Sequence, residues 1–253
     1  MSKQNIALIT GITGQKAAEK HVLIKDATAL ERLRKVDVLV TDKTGTLTIP
    51  NKNVDFTKAD NLPLEARESL KPNCREAMDS LQEMGIDVWM MSGDKEMAAK
   101  YWAEKAGIKH YKAKCVPADK EEIVRKLKAE GKTVAMIGDG INDTQALALA
   151  DVSIAIGTGT DVAMDVAQVT LMTDDLNALP QSVSLSKKTV RMIWENLFWA
   201  FIYNIVCIPI AAGVLYLFFE NPPIVLTPMW GSALMAMSSV SVVLNSLRLK
   251  LIK

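Results

Sequence analysis

Asp42 closes a short apolar run, VDVLVTD, and KTGTLT follows at once. A carboxylate is ionised at neutral pH and can attack phosphorus without first losing a proton, so an aspartate placed here is a candidate phosphoryl acceptor. The plainer use of such a residue is to cap the turn after a strand. Phosphoryl transfer asks for more than a nucleophile, and three further motifs supply candidates. Ser92 and the Gly93 backbone in SGD can hold phosphoryl oxygens, and Lys120 in VPADK can neutralise the charge that builds on them. Asp139, on the Gly-Asp-Gly turn of GDGIND, is a partner for Asp42 around Mg²⁺, a hard cation that takes carboxylate, carbonyl and water oxygens. Each piece alone is a weak signal, and their order along one chain carries the weight.

The elements that must position these residues follow from apolar patterning. VDVLV is short and β-branched, as a buried parallel strand is, and ligands of open α/β sheets gather beyond the carboxyl ends of such strands. Residues 86–91, 132–138 and 151–156 read as further strands, and 67–85, 96–107 and 118–131 as helices. Each of these helices closes on a glycine suited to a left-handed cap, and Pro72 marks where the first truly begins. The alternation predicts a doubly wound α/β domain over residues 1–185.

Beyond it the solvent changes. Leu197 to Phe219 and Ile224 to Leu247 carry no charge, and at about 1.5 Å per residue each is long enough for a hydrocarbon core of about 30 Å. Two transmembrane helices are expected, about 192–219 and 224–247, in a membrane domain over 186–253. Lys187, Lys188 and Arg191 precede the pair and Arg248, Lys250 and Lys253 follow it, so both outer ends and the α/β domain face the cytoplasm, with ENPP as a short outside turn. The 49% hydrophobic content and mean hydropathy of +0.12 fit a membrane protein. A net charge of +1 gives no case for nucleic acid. Cys74, Cys115 and Cys207, widely spaced beside only two histidines, argue against a zinc or disulfide framework. MSKQNIALITG lacks the apolar core of a signal peptide.

Taken together, DKTGTLT (42–48) resembles the phosphorylation signature of P-type ATPases. MSGDK resembles that family's TGD segment, VPADK its P-x-x-K, and residues 136–167 its hinge and magnesium region. The resemblance implies a haloacid-dehalogenase-like Rossmannoid P domain, with Asp42 phosphorylated from ATP and Mg²⁺ held by Asp42, the Thr44 carbonyl and Asp139. Lys120 then steadies the phosphoryl group, Asn142 and Asp143 complete its pocket, and Asp94 lies at a mobile lip. Ser92 stands where the family usually has threonine, which keeps the hydroxyl. Thr44 stands where soluble phosphatases of this fold carry the aspartate that hydrolyses the intermediate, so an aspartyl phosphate should persist.

The membrane half resembles the last two helices of the copper-transporting P1B group through YN (203–204) and MxxSS (235–239). The resemblance implies Tyr203, Asn204, Met235 and Ser238 as residues for transported Cu(I), a soft ion suited to thioether sulfur. Packing is the plain alternative for such small and polar residues in membrane helices. The expected setting is a bacterial plasma membrane, with lipid, copper and other segments or copies of a full-length pump as partners. No Cys-Pro-Cys motif, actuator domain or His-Pro mark of a nucleotide domain is found in the chain. Residues 49–91, with IPNKNVDFTKAD at their head, are too short for an adenine-binding domain. Two rivals remain: a membrane-tethered phosphatase of this fold, which Thr44 opposes, and a non-catalytic fragment that binds pump subunits or metal, which the missing nucleotide domain favours.

Overall fold

Four successive residues of the run ending at Asp42 are buried, which requires cover on both faces of their sheet. The computed structural model describes residues 3–25, 27–51, 62–139, 141–157, 161–218 and 227–251. The chain divides into two compact units, residues 17–186 and residues 1–16 with 187–253. The first sixteen residues therefore group with the apolar C-terminal stretch, whereas the sequence reading placed them in the α/β domain.

In chain order the strands are β1 (Val22–Ile24), β2 (Val38–Asp42), β3 (Thr48–Pro50), β4 (Glu68–Leu70), β5 (Asp87–Met91), β6 (His110–Lys112), β7 (Val134–Gly138), β8 (Val152–Ile156) and β9 (Val169–Leu171). The helices are α1 (Lys3–Glu19), α2 (Ala27–Leu33), α3 (Leu64–Arg67), α4 (Cys74–Glu83), α5 (Glu96–Ala106), α6 (Pro117–Ala129), α7 (Thr144–Leu149), α8 (Asp161–Val166), α9 (Ala178–Ala211) and α10 (Pro228–Leu247).

The α/β unit holds a seven-stranded sheet in the order β1-β9-β8-β7-β2-β5-β6, parallel but for the edge strand β1, and a separate two-stranded ribbon of β3 and β4. From β2 the chain builds outward through β5 and β6, then returns to the other side of β2 for β7 and β8. The order reverses between β2 and β7, and the crevice beyond their carboxyl ends is where ligands of such sheets bind. Alternate β2 residues feed two cores: Leu39 joins Val88, Met90 and Ile137 on one face, while Val38 and Val40 join Met136, Val124 and Leu147 on the other. Gly107, at φ +76°, closes α5 in the left-handed conformation expected of it, and Gly85 and Gly131 follow the ends of α4 and α6 with φ +84° and +82°.

Within residues 67–85 helix starts at Cys74, just after Pro72, where the sequence reading set its true beginning; Glu68–Leu70 before it is a strand that pairs antiparallel with β3, which patterning did not show. The segment ESL has no β-branched residue and reads as helical, so its strand state comes from pairing with Thr48–Pro50. IPNKNVDFTKAD lies mostly outside the described residues.

The second unit is helical. The helix expected over 192–219 ends at Ala211, followed by a 3₁₀ turn at Val214–Leu217, and the one expected from 224 starts at Pro228. The ENPP turn lies outside the described residues. Both long helices are apolar and long enough to cross a membrane, and only 6% and 17% of their most apolar windows are buried. A core helix of a soluble protein would be mostly covered. Asn196, fully buried, donates to Ser246 Oγ at 2.9 Å, and Asn245 donates to Asn196 Oδ1 at 2.8 Å, which pins α9 against α10 in antiparallel register.

Candidate phosphoryl-transfer site

Asp42 ends β2, Asp139 follows the last residue of β7, and Asp143 closes the 3₁₀ turn Ile141–Asp143. The topology thus delivers three carboxylates to the crevice, and one oxygen from each lies within 4.8 Å of the others. Lys120, in the first turn of α6, reaches in from the side, where its ammonium hydrogen-bonds Asp42 Oδ1 and donates to Asp143 Oδ1 at 2.7 Å. The ammonium is largely buried, as is Asp143. Burial pushes the Asp42 carboxyl up to about 6, against the pull of Lys120, with repulsion from Asp143 and Asp139 adding to the rise. Burial also raises Asp139, again with Asp143 adding repulsion. Lys120 is held above its ordinary value because Asp42 and Asp143 outweigh the opposing effect of its own burial.

Two glycines allow the approach. A Cβ on Gly45, at φ +75°, would fall 1.6 Å from Asp139 Oδ2, and one on Gly138 would fall 2.6 Å from Asp143 Oδ2. The KTGT loop can lie against Asp139 only because residue 45 has no side chain.

The donor set fits Mg²⁺: hard carboxylate oxygens converge from three elements, and one lysine cannot neutralise three acids brought so close. In the adjoining loop Thr46 Oγ1 is buried without a hydrogen-bond partner among the described residues, a costly state unless a ligand uses it.

The other expected site residues lie beside this cluster. Thr44, Gly93 and Asp94 line a cavity of about 380 Å³ with Lys43, Arg67, Glu68 and Lys95. Ser92, almost wholly buried, accepts from the Asp94 N–H at 3.1 Å, which leaves its O–H to donate. Asn142 is exposed on the 3₁₀ turn. Asp94 Oδ2 lies 2.6 Å from the buried Lys43 ammonium.

Sequence reasoning missed two buried lysines and their partners. Lys43 Nζ also lies 2.5 Å from Glu68 Oε1, and Glu68 Oε2 accepts from Thr48 Oγ1 at 2.8 Å, so the short β3–β4 ribbon clamps the signature loop. Lys71 lies 2.7 Å from Asp174 Oδ1 and its charge lowers Asp139 in part. Nothing in residue type signals either lysine, because lysines are mostly exposed.

In the helical unit, Tyr203, Asn204, Met235 and Ser238 line one cavity of about 350 Å³ between α9 and α10, together with Cys207, Gly231 and Ser239.

The profile of the haloacid dehalogenase-like hydrolases matches residues 51–151. A copper-exporting P-type ATPase of Legionella pneumophila is 41% identical over 243 residues, 95% of this chain and 32% of that protein. The chain is homologous to P-type ATPases. A copper-transporting ATPase of Rhizobium meliloti is 49% identical over 183 residues, 72% of this chain and 22% of that protein. The crystal structure of a zinc-transporting PIB-type ATPase in its E2·Pi state superposes with a TM-score of 0.79 over 97% of this chain and 55% of that one, at 23% identity, and so supports the fold. The chain spans less than a third of the length of these copper-transporting relatives. The haloacid-dehalogenase-like α/β unit with two candidate membrane helices is thus what the family resemblance implied.

Proposed function

We propose that this chain is the phosphorylation domain and a membrane hairpin of a copper-transporting P-type ATPase, in which Asp42 carries the phosphoryl group. The observation that carries the reading is the convergence of Asp42, Asp139 and Asp143 at the reversal point of the sheet, with Lys120 paired to Asp42 and Asp143. In the transfer an Asp42 carboxylate oxygen forms a bond to the γ-phosphorus of ATP as the bond to the ADP oxygen breaks. Lys120 neutralises the phosphoryl oxygens and Ser92 donates its hydroxyl to one of them. Thr44 offers no carboxylate to activate water, so the acyl phosphate lasts long enough to be coupled to ion movement. Asp42, Asp139 and the Thr44 carbonyl would hold Mg²⁺, which would neutralise charge between the two anions that must meet. Asn142 stands at the rim of the pocket.

Residues 51–63 are the whole connection between β3 and α3, and they leave no room for a domain that would hold adenine. ATP use by this chain alone is therefore slow, and small phosphoryl donors that need no adenine grip react better. The hairpin spans the membrane with its ends in the cytoplasm, and Tyr203, Asn204, Met235 and Ser238 hold Cu(I) as the transported ion. The setting we propose is a bacterial plasma membrane, with the remaining helices on a partner or on further chain.

Beryllium trifluoride, which mimics a phosphoryl group on a carboxylate, tests the nucleophile without turnover. Fluorine NMR of the full chain in detergent should show a bound resonance that needs Mg²⁺ and is absent from Asp42→Asn. A bound signal that is unchanged in Asp42→Asn contradicts the reading.

A further inference from the structure

The cavity between α9 and α10 holds a thiol that belongs to no Cys-Pro-Cys pair. Cys207 lines that cavity with Met235, and it is a free, partly exposed cysteine, unlike the buried Cys74 and Cys115.

The helix register places it there independently. Asn196 on α9 meets Ser246 on α10 at 2.9 Å. Counting eleven residues forward from Asn196 reaches Cys207, and eleven back from Ser246 reaches Met235. Eleven residues are about three full turns, so both side chains return to the face that carries the amide contact, at the same height on antiparallel helices. The register therefore sets a thiol opposite a thioether.

The neighbouring groups narrow what the cavity can take. Asn204 donates its amide N–H to Ala200 O at 3.2 Å, which leaves its carbonyl oxygen as the atom for a ligand, and Ser239 donates its hydroxyl to Met235 O at 3.2 Å. Among the described residues no carboxylate and no histidine lines the cavity. Two sulfurs with neutral oxygens suit a soft monovalent cation and serve Mg²⁺ or Zn²⁺ poorly.

We infer that Cys207 is a ligand for Cu(I) in this cavity, paired across the helices with Met235. This rests on the reading of the cavity as a copper site. On binding, the S–H bond breaks, a sulfur–copper bond forms and the proton leaves to solvent, with no change of oxidation state. The thiolate's charge balances that of the ion, so the loaded cavity is neutral, which suits a site between membrane helices. Because a proton is displaced, binding also tightens with rising pH.

The test uses the full chain in detergent, titrated anaerobically with Cu(I) against a chromogenic chelator. Cys207→Ser and Met235→Val should each weaken binding about tenfold or more, a scale at which even the outer partners of metal sites count. About one proton should be released per copper bound, and that release should be lost in Cys207→Ser. Cu(I) should also slow maleimide labelling of Cys207, located by mass spectrometry. The labelling readout holds even if a variant folds poorly, because it uses the unaltered chain. Weaker binding in Met235→Val with full affinity in Cys207→Ser and unprotected Cys207 overturns the inference and leaves the copper reading standing. Full affinity in both variants overturns the inference and the copper reading of this cavity together.

Discussion

The Lys43 ammonium lies 2.5 Å from Glu68 Oε1, although one residue follows the signature aspartate and the other opens a strand that sequence patterning assigns to a helix. Glu68 holds Thr48 as well, so a single side chain fixes both ends of the loop that presents Asp42. Removal of one partner from a buried ion pair costs about 3–5 kcal/mol when nothing replaces it, and here Asp94 remains on Lys43. We expect Glu68→Ala to destabilise the α/β unit by about 2 kcal/mol in thermal or urea unfolding, and Glu68→Gln by less. A Glu68→Ala chain as stable as the parent would show that the clamp contributes nothing.

Gly45 should tolerate no side chain. In Gly45→Ala the new methyl falls on Asp139 Oδ2, and the backbone at φ +75° disfavours alanine. Either Asp139 or the loop must shift by an ångström or more, which at a reacting centre costs on the order of a hundredfold in rate. Phosphorylation of Gly45→Ala should fall at least that far while the circular dichroism of the α/β unit is retained. Labelling at the parent's rate would contradict the close approach.

The pH dependence of stability has a definite sign in Mg²⁺-free solution. Burial first, and then repulsion from Asp143 and Asp139, raise Asp42 from 3.8 to about 6 in spite of Lys120. The folded chain therefore keeps a proton that the unfolded chain releases, so this group's contribution favours folding below about pH 4 and is lost as pH rises through about 6. Asp42→Asn removes the penalty. Its unfolding free energy should exceed the parent's at pH 7.5 in EDTA, by about 3 kcal/mol, and the difference should vanish near pH 4. The opposite trend, with the variant weaker at pH 7.5, would show that Lys120 outweighs burial.

Much of this site was legible because the central strands are buried on both faces and so read as apolar runs: β2, β5, β7 and β8 all stand within two residues of where patterning put them. Asp42, Asp139 and Lys120 follow from strand ends and motif order. The three-residue strands β1, β6 and β9 were not legible, since so short a run carries no period. Lys43, Glu68 and Lys71 were missed for a different reason: their burial depends on charges that arrive from elsewhere in the chain, and no local pattern encodes that. The facing of Cys207 and Met235 likewise depends on the Asn196–Ser246 contact, a relation between helices and not within either.

Lys120 should be harder to replace than its position on a charged helix implies. Lys120→Met leaves Asp42 and Asp143 facing each other without the ammonium that pairs with both. In Mg²⁺, labelling from acetyl phosphate should drop at least about a hundredfold, because removal of one preorganised charge at a transfer site commonly costs on that scale. An unchanged rate would move Lys120 from the transfer step to a structural role.

Acid-quenched labelling of the full chain with radioactive acetyl phosphate tests the central claim most directly. The account predicts an acid-stable, hydroxylamine-sensitive adduct that maps to Asp42, requires Mg²⁺, disappears in Asp42→Asn, and forms much faster than from ATP at equal concentration. An adduct of equal yield in Asp42→Asn, or one that forms equally well in EDTA, would contradict it.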